Sequence, residues 1–231
     1  MSTALYDPIK TMSRVTDEVL VGFSGGKDSI VTLDLCMRYF RRVQPFFLWQ
    51  VPDMSFQQAT IRRYERKYGV HMIQLPHFEV SDFLRYGTYR NDDPSVPTVS
   101  VTDVYHYLRL QTGIWWIAAG EHIADSIWRR AMIGKSGSID DGRGRFYPLA
   151  YWKKADVLGY MKHKGLVMGA EYEKIGHSFR SLDAEDLRMV RDHYPADWQR
   201  LLTLYPLAET GIRQRDLARE KYDGNEQVSG V

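Results

Sequence analysis

A chain of 231 residues is long enough for one α/β domain with a sizeable core and a smaller appended region. Apolar residues make up 44% of the sequence and charged residues 26%, which is ordinary for soluble globular proteins. The net charge of only +2 gives no bulk electrostatic argument for nucleic-acid binding. The single cysteine, Cys36, excludes an internal disulfide and any zinc or iron–sulfur site built from cysteine pairs.

The sequence shows no sign of membrane insertion or export. No apolar run approaches the roughly 20 residues that span a bilayer. Residues 1–10 lack the basic and apolar regions of a secretory signal. We therefore expect a cytoplasmic protein without membrane association.

The hydrophobic pattern predicts alternating strands and helices over the first half of the chain. The predicted strands are residues 18–23, 45–51, 70–75 and 114–119. The predicted helices are residues 30–39, 55–68 and 102–111, with a short helical turn at 82–86. This alternation is typical of an α/β fold with a doubly wound parallel sheet, whose ligand lies at the carboxyl ends of the strands.

After residue 150 the pattern becomes helical. The predicted helices there are residues 153–164, 183–193, 197–205 and 209–222. We therefore predict a nucleotide-binding α/β domain over residues 1–150 and a helical C-terminal region over 151–222 packed on it. The small, polar residues 223–231 are expected to form a flexible tail.

The junction between the first strand and its helix is the most informative segment. The strand ends in Ser24-Gly25-Gly26, and an apolar-periodic helix begins at once. Two adjacent glycines let the backbone turn sharply and expose its N–H groups, and the helix directs its positive dipole end to the same place. These features predict a phosphate-binding loop. It is not a Walker A loop, because Asp28 follows Lys27 where that motif has Ser or Thr.

The segment Ser24-Gly25-Gly26-Lys27-Asp28-Ser29 resembles the Ser-Gly-Gly-x-Asp-Ser signature of the PP-loop ATP pyrophosphatases, the adenine nucleotide alpha-hydrolase-like superfamily. The resemblance implies binding of ATP or a related adenylyl nucleotide together with Mg²⁺. It further implies cleavage at the α-phosphate, whereas Walker-type proteins act at the γ-phosphate.

Two later segments are similar to the branch that contains the phosphoadenosine phosphosulfate reductases and the small subunit of ATP sulfurylase. The stretch from Gly120 to Arg129 resembles that branch's Gly-x-Arg-x…Arg segment, but Glu121 and His122 stand where it has arginines. Residues 147–157 resemble its Pro-Leu-x-x-Trp-x-x-x-Asp-Val stretch.

The reductases of this branch use a C-terminal cysteine that attacks sulfur. Here Gly176–Ser181 occupies the corresponding segment, and no cysteine follows Cys36. Because Cys36 falls on a predicted helix behind the loop, we expect it to be a buried structural thiol. Thiol-based reduction, and tRNA thiolation of the cysteine-pair type, are therefore rejected.

Within the loop, each residue type has an expected role. Ser24 and Ser29 are expected to donate hydroxyl groups to phosphate oxygens, and Gly25 and Gly26 to offer backbone N–H groups. Lys27 adds positive charge where negative charge builds on the pyrophosphate, which makes it a candidate catalytic residue.

The remaining candidates each have an ordinary structural alternative. Asp28 is expected to hold Mg²⁺ or to fix Lys27 and the loop, or only to complement the helix dipole. Asp53 is a candidate for ribose or metal contact, or part of a Pro-Asp turn. Gly120 follows a predicted strand and is a candidate for nucleotide binding. Arg129 is the candidate anion-binding and catalytic arginine, and Arg130 is its alternative. Either arginine could instead be a solvent-exposed helix residue.

A glycine-rich basic segment, residues 134–145, is predicted to be a mobile loop. It is either a lid over the nucleotide or acceptor, or a disordered hairpin tip.

The sequence supports two classes of function. The first is an adenylyltransferase, or ATP pyrophosphatase, in which an acceptor oxygen attacks the α-phosphate and pyrophosphate leaves. The sequence does not decide between sulfate and a modified base as the acceptor. It also does not decide whether the protein forms a homo-oligomer or binds a protein partner. The alternative is a nucleotide- or sulfonucleotide-binding module without catalysis, or a component of a nucleic-acid modification system.

Overall fold

The computed structural model describes residues 3–123 and 127–217 of the chain. A 3-10 helix at Thr3–Tyr6 and helix α1 at Asp7–Met12 precede the first strand. Across these described ranges, no helix is both long and apolar enough to cross a bilayer. The residues predicted to form a flexible tail, 223–231, lie outside the described part.

One sheet forms the centre of the fold. Its strands within the described residues are β1 (Glu18–Phe23), β2 (Arg42–Trp49), β3 (Ile73–Pro76), β4 (Ile117–Ala118), β5 (Ile139–Asp140) and β6 (Arg145–Phe146). They lie in the order β3-β2-β1-β4-β6-β5. β1 is parallel to β2 and β4, β4 is parallel to β6, and the edge strand β5 is antiparallel to β6. The predicted α/β class with a largely parallel sheet is confirmed.

The helices follow the strands in the predicted order. They are α2 (Lys27–Tyr39), α3 (Ser55–Tyr68), α4 (Phe78–Tyr86), α5 (Val101–Thr112), α6 (Ile127–Ser136), α7 (Lys154–Lys164), α8 (Tyr172–Ile175), α9 (Ala184–His193) and α10 (Pro195–Leu204). Residues 208–217 are also helical.

The largest difference from the predicted elements is at β4. Its ladder covers only two residues of the predicted strand 114–119. The carbonyl of Trp115 accepts a hydrogen bond from Arg109 at 2.9 Å rather than from a neighbouring strand. Pairing therefore begins only beyond that residue.

The chain divides into two compact units that interleave along the sequence. The first unit comprises Met1–Leu48, Phe56–Leu75 and Thr102–Ala170. The second comprises Trp49–Ser55, Pro76–Val101 and Glu171–Val231. The division differs from the predicted linear boundary at residue 150, because α7 belongs to the first unit.

The core of the first unit fixes both elements that flank the glycine-rich turn. Val19, Leu20 and Val21 of β1 are fully buried, as expected for the central strand of a parallel sheet. Ile30 and Leu33 of α2 are equally inaccessible, and α2 packs against β1 and α7. The turn between β1 and α2 is therefore held at both ends by dense packing.

The segment predicted as a glycine-rich loop is mostly regular structure. Residues 134–136 complete α6, and β5 and β6 form a hairpin through a 3-10 turn at Asp141–Arg143. Gly144 has a left-handed φ of 59°, and a Cβ there would lie 2.6 Å from Nε1 of Trp115. Because β6 pairs with β4 inside the sheet, the expectation of a disordered hairpin tip is wrong.

A buried carboxylate joins three helices of the first unit. Asp34 on α2 accepts hydrogen bonds from the hydroxyl of Tyr160 at 2.6 Å, the hydroxyl of Tyr68 at 2.7 Å and Nε of Arg38 at 2.7 Å. Burial alone would raise the pKa of Asp34, but these donors outweigh it and hold that pKa below its ordinary value. Burial and the same hydrogen bonds raise the pKa of both tyrosines. α3 and α7 are thus tied to the helix that follows the glycine-rich turn.

We expect Asp34→Ala to lower the free energy of unfolding by about 2–4 kcal/mol, because it leaves the buried Tyr160 hydroxyl and the half-buried Tyr68 hydroxyl without their acceptor. Since the pKa of Asp34 is lower in the folded state, this stabilisation is complete above the unfolded value of about 4 and is lost as the pH falls below it. Urea titrations at about pH 7 and about pH 3 measure both effects.

Asp17→Ala is the matched control. Asp17 also pairs with an arginine, Arg41, but its side chain is 59% exposed. Removal of such a surface pair should change stability by less than about 1 kcal/mol. Equal losses for the two variants would contradict the importance of the Asp34 cluster.

Candidate functional site

The candidate site begins where β1 ends and α2 starts. Gly25 has a left-handed φ of 76°, which turns the chain directly into the helix. Gly26 is the N-cap residue of α2, and no side chain caps the helix there. The Gly26 carbonyl accepts the first hydrogen bond of the helix, from the Ile30 N–H at 3.0 Å. The first N–H groups of α2 have no intrahelical acceptor and therefore suit an anion.

The two serines of the loop bond to each other and to the loop backbone. The Ser29 hydroxyl donates to the Gly26 carbonyl at 2.9 Å and accepts from the Ser24 amide at 3.1 Å. The Ser24 hydroxyl lies 3.2 Å from that of Ser29. Ser29 is buried, and its single proton is used inside the loop. In this arrangement Ser29 holds the shape of the loop, while its predicted phosphate contact stays a prediction.

Lys27 and Asp28 form an ion pair at the start of α2. Lys27 Nζ lies 2.5 Å from Asp28 Oδ2, and the two side chains are 22% and 26% exposed. The lysine cation is thus held beside the open N–H groups of the loop. This position agrees with the charge expected of Lys27 toward phosphate.

The structure adds His122 to the site, which the sequence did not single out as a functional residue. Its side chain is 4% exposed, its Nε2 lies 2.8 Å from Asp28 Oδ1, and its Nδ1 lies 3.0 Å from the Trp152 carbonyl. The Trp152 carbonyl and the ionised Asp28 carboxylate both accept, so each ring nitrogen donates a proton and the His122 ring is cationic in this arrangement. The available signal was position, because His122 closely follows the carboxyl end of β4.

The pKa of Asp28 reflects these contacts. Burial alone would raise the pKa of this carboxyl, but the hydrogen bonds from His122 and Lys27 outweigh burial and hold the pKa below its ordinary value. Asp28 is therefore ionised at neutral pH and fixes Lys27.

Gly120 lies directly against the loop. A Cβ at this position would lie 3.2 Å from the Asp28 carbonyl carbon and 3.3 Å from Ser29 N. These are tight contacts, which the start of α2 accommodates only by a shift of a few tenths of an ångström, and glycine avoids them. The structure thus places the predicted residue Gly120 beside the loop backbone.

Glu121, the residue after Gly120, pairs with an arginine of the first unit. Arg145 Nη2 on β6 donates to Glu121 Oε1 at 3.0 Å. The same guanidinium lies over the rings of Tyr105 and Tyr147, with centroid distances of 5.3 and 5.6 Å. The negative charge introduced by Glu121 is therefore balanced locally.

Both carboxylate oxygens of Asp28 accept hydrogen bonds in this arrangement, and its role as a Mg²⁺ ligand stays a prediction. One of its oxygens is bonded to Lys27 and the other to His122. In the ranges that the structure describes, no group of three His, Cys, Asp or Glu side chains is placed to hold a metal ion. Asp28 fits its second predicted role, which is to fix Lys27 and the loop.

The other predicted residues are not brought together with the loop by the described contacts. Arg129 falls within α6, but its side chain lies outside the described part of the chain, and Arg130 on the same helix is exposed. Asp53 belongs to the second unit, where its backbone has a φ of 57° and its carbonyl accepts from Arg200 at 2.9 Å. The ligand-binding roles of Arg129 and Asp53 stay predictions.

The cysteine lies where the sequence predicts it, inside α2. Cys36 is fully buried, and burial raises the pKa of its thiol. A neutral, inaccessible thiol is a poor nucleophile, which agrees with the rejection of thiol chemistry.

Residues 18–82 match the family profile described as the phosphoadenosine phosphosulfate reductase domain. This stretch contains β1, the glycine-rich turn and α2, and it ends within α4. Over these residues the chain is similar to this domain. The resemblance drawn from residues 24–29 is thereby confirmed. None of the curated proteins matches the chain.

Two solved structures are similar to this chain at low identity. The U34-tRNA thiolase NcsA from Methanococcus maripaludis, solved with its 4Fe-4S cluster, is 16% identical over 89% of this chain and 79% of its own, with a TM-score of 0.48. The NH3-dependent NAD synthetase from Campylobacter jejuni, in complex with nitrate, is 14% identical over 91% of each chain, with a TM-score of 0.45. Similarity at this level says nothing about the activity of this chain.

We expect His122→Ala to lower the free energy of unfolding by about 1–3 kcal/mol, because Asp28 loses a hydrogen bond and the Trp152 carbonyl loses its donor. The pKa of Asp28 should rise because burial then meets less opposition, so the acid sensitivity that its low folded-state pKa confers should shrink in the variant. Urea titrations across the acid range measure both. His163→Ala, an exposed histidine of α7, is the control. Wild-type stability and acid response in His122→Ala would refute the positioning role.

Proposed function

We propose that this protein binds ATP, or a related adenylyl nucleotide, at residues 24–29 and transfers its adenylyl group to an acceptor. An acceptor oxygen attacks the α-phosphorus, the bond from the α-phosphorus to the bridging oxygen breaks, and pyrophosphate leaves with that electron pair. The observation that carries the proposal is the loop itself. Its uncapped helix start, left-handed Gly25 and adjacent lysine form a site for a polyphosphate.

The contacts of the loop suggest how charge is stabilised during the reaction. The first N–H groups of α2 bind the departing phosphates, and Lys27 neutralises charge that grows on them. His122 positions Asp28, and Asp28 in turn restrains Lys27. Mg²⁺ accompanies ATP as part of the substrate, and the chain's own residues supply orientation and positive charge.

The residues outside the loop have proposed roles in the same reaction. Gly120 allows the carboxyl end of β4 to approach the loop closely. Arg129 binds the α-phosphate or the acceptor. The acceptor is sulfate or a modified base, since both offer an oxygen nucleophile and neither requires a cysteine.

A second candidate function is nucleotide binding without turnover. The specific observation in its favour is that both oxygens of Asp28 are already engaged, one by Lys27 and the other by His122. A loop whose carboxylate is held on both sides suits a sensor or a scaffold, and the same state suits a resting enzyme. Turnover distinguishes the two.

Gly26→Ala tests nucleotide binding at the loop. Gly26 has a φ of −77° and a ψ of 159°, which alanine adopts without strain, so the variant should fold. The added Cβ obstructs the approach of phosphate to the helix start. The free energy of ATP binding, measured by titration calorimetry, should become less favourable by about 1–3 kcal/mol.

Two further glycine variants are compared with Gly26→Ala. Gly134→Ala places its Cβ in open space on α6 and should bind ATP as the wild type does. Gly25→Ala forces alanine into a left-handed φ of 76° and should lose stability. Unchanged ATP affinity in folded Gly26→Ala would contradict the proposed site.

Lys27→Ala tests the chemistry. Because Lys27 faces charge that develops in the transition state, its loss should lower the rate of pyrophosphate release by ~10²-fold or more, with a smaller effect on ATP affinity. Lys162→Ala, an exposed lysine of α7, should leave the rate unchanged. The assay contains ATP and Mg²⁺ with sulfate or nucleic acid as acceptor.

The acceptor side is tested in the same assay with Arg129→Ala, which should impair use of the acceptor as much as use of ATP. If the unmodified protein binds ATP but releases no pyrophosphate with any acceptor, the enzymatic proposal fails. The binding module then stands as the function.

A further inference from the structure

The second unit contains a pocket that the proposed reaction does not use. Its volume is about 500 Å³, and it is lined by Arg85, Tyr86, Gly87, Arg90, Asn91, Asp92 and Pro94. This volume falls within the roughly 300–1,000 Å³ of typical small-ligand sites. The lining comes from the end of α4 and the segment that follows it.

Two arginines give the pocket its charge. Nη1 of Arg85 donates to the carbonyls of Pro94 at 2.7 Å and Val96 at 2.6 Å. Nη1 of Arg90 donates to the Leu204 carbonyl at 3.3 Å. Over the described residues, neither guanidinium forms an ion pair with a carboxylate. Backbone carbonyls orient these side chains without cancelling their charge, which leaves two cations for an anionic ligand.

Two carboxylates also belong to this segment. Asp93 accepts hydrogen bonds from the Ser95 amide at 3.1 Å and the Ser95 hydroxyl at 2.5 Å. These bonds and, less strongly, the charge of Arg90 lower the pKa of Asp93. The lining itself contains two arginines and one aspartate, Asp92, so it is net positive by one charge and suits a single phosphate.

An exposed aromatic ring stands beside the cations. Tyr86 is 69% exposed, and the guanidinium carbon of Arg85 lies 6.0 Å from its ring centroid. The preceding helix ends at Gly87 with a left-handed φ of 79°, and a Cβ there would lie 2.9 Å from the Arg90 carbonyl oxygen and the Asp92 amide. This tight turn holds Tyr86 and Arg90 on one short, closely packed segment.

We propose that this pocket binds one nucleotide unit of a single-stranded nucleic acid. The base stacks on Tyr86, and the adjoining phosphate binds Arg85 and Arg90. An aromatic ring for stacking beside guanidinium groups that form no salt bridge is the combination by which proteins bind single strands without reading their sequence. An acidic peptide would use the arginines but would leave the tyrosine without a flat partner.

The proposal is independent of ATP use at residues 24–29, because its residues are separate from the loop. It is tested by fluorescence anisotropy with labelled DNA and RNA single strands of about 10 nucleotides, a length within the usual site sizes. Tyr86→Ala should weaken binding roughly tenfold or more. Arg90→Gln should weaken binding and lower the slope of log affinity against log salt by about 0.7.

Matched variants separate the pocket from other surfaces. Tyr107→Ala on α5 and Arg62→Gln on α3 remove an exposed tyrosine and an exposed arginine outside the lining, and should bind like the wild type. Gly26→Ala, whose phosphate loop is obstructed, should also bind the strand normally. Circular dichroism confirms that each variant is folded.

Each outcome of this experiment decides the proposal. Loss of binding in Tyr86→Ala and Arg90→Gln, with all controls unchanged, supports it. Competition by a nucleoside monophosphate with the same dependence on Tyr86 also supports the pocket and assigns it to free nucleotides. Absence of binding, loss in Gly26→Ala, or equal binding of an acidic peptide overturns it.

Discussion

The close contact between the carboxyl end of β4 and the first turn of α2 is the constraint on which the loop depends. At Gly120 a Cβ would be in tight contact with the backbone of Asp28 and Ser29. Two residues later, His122 reaches the Asp28 carboxylate and fixes its orientation. Because β1 and α2 are themselves densely packed, the loop is held from its two ends and from β4. A phosphate site built from backbone N–H groups requires this rigidity, since it has few side chains with which to adapt.

Glu121 and His122, which follow Gly120, each make an ionic contact within the first unit. Glu121 pairs with Arg145, which comes from β6 and lies over two tyrosine rings. His122 engages Asp28, which in turn pairs with Lys27. The carboxylates of Glu121 and Asp28 are thus both held by basic side chains of the first unit.

Much of the first unit followed from local pattern. The apolar run of β1, the bounds of α3 and the glycine-rich turn depend on neighbouring residues, so the sequence displays them directly. The His122–Asp28 contact joins residues that are far apart in the chain. It depends on the register in which β4 pairs with β1, which local sequence does not display. The hairpin of β5 and β6 was missed because its glycines resemble those of a loop, while its strands gain stability from pairing within the sheet. The interleaving of the two units likewise reflects contacts that periodicity does not record.

The complete burial of Cys36 gives the protein a built-in reporter of its own opening. The thiol lies on the helix whose first turn forms the loop, so a thiol reagent reaches it only when α2 separates from the core. The labelling rate therefore measures how often the first unit opens. A ligand that binds only the closed unit reduces that rate in proportion to its occupancy, since binding and opening are linked. The labelling rate of this one native thiol therefore ranks the ligands of the loop by how strongly they keep the first unit closed.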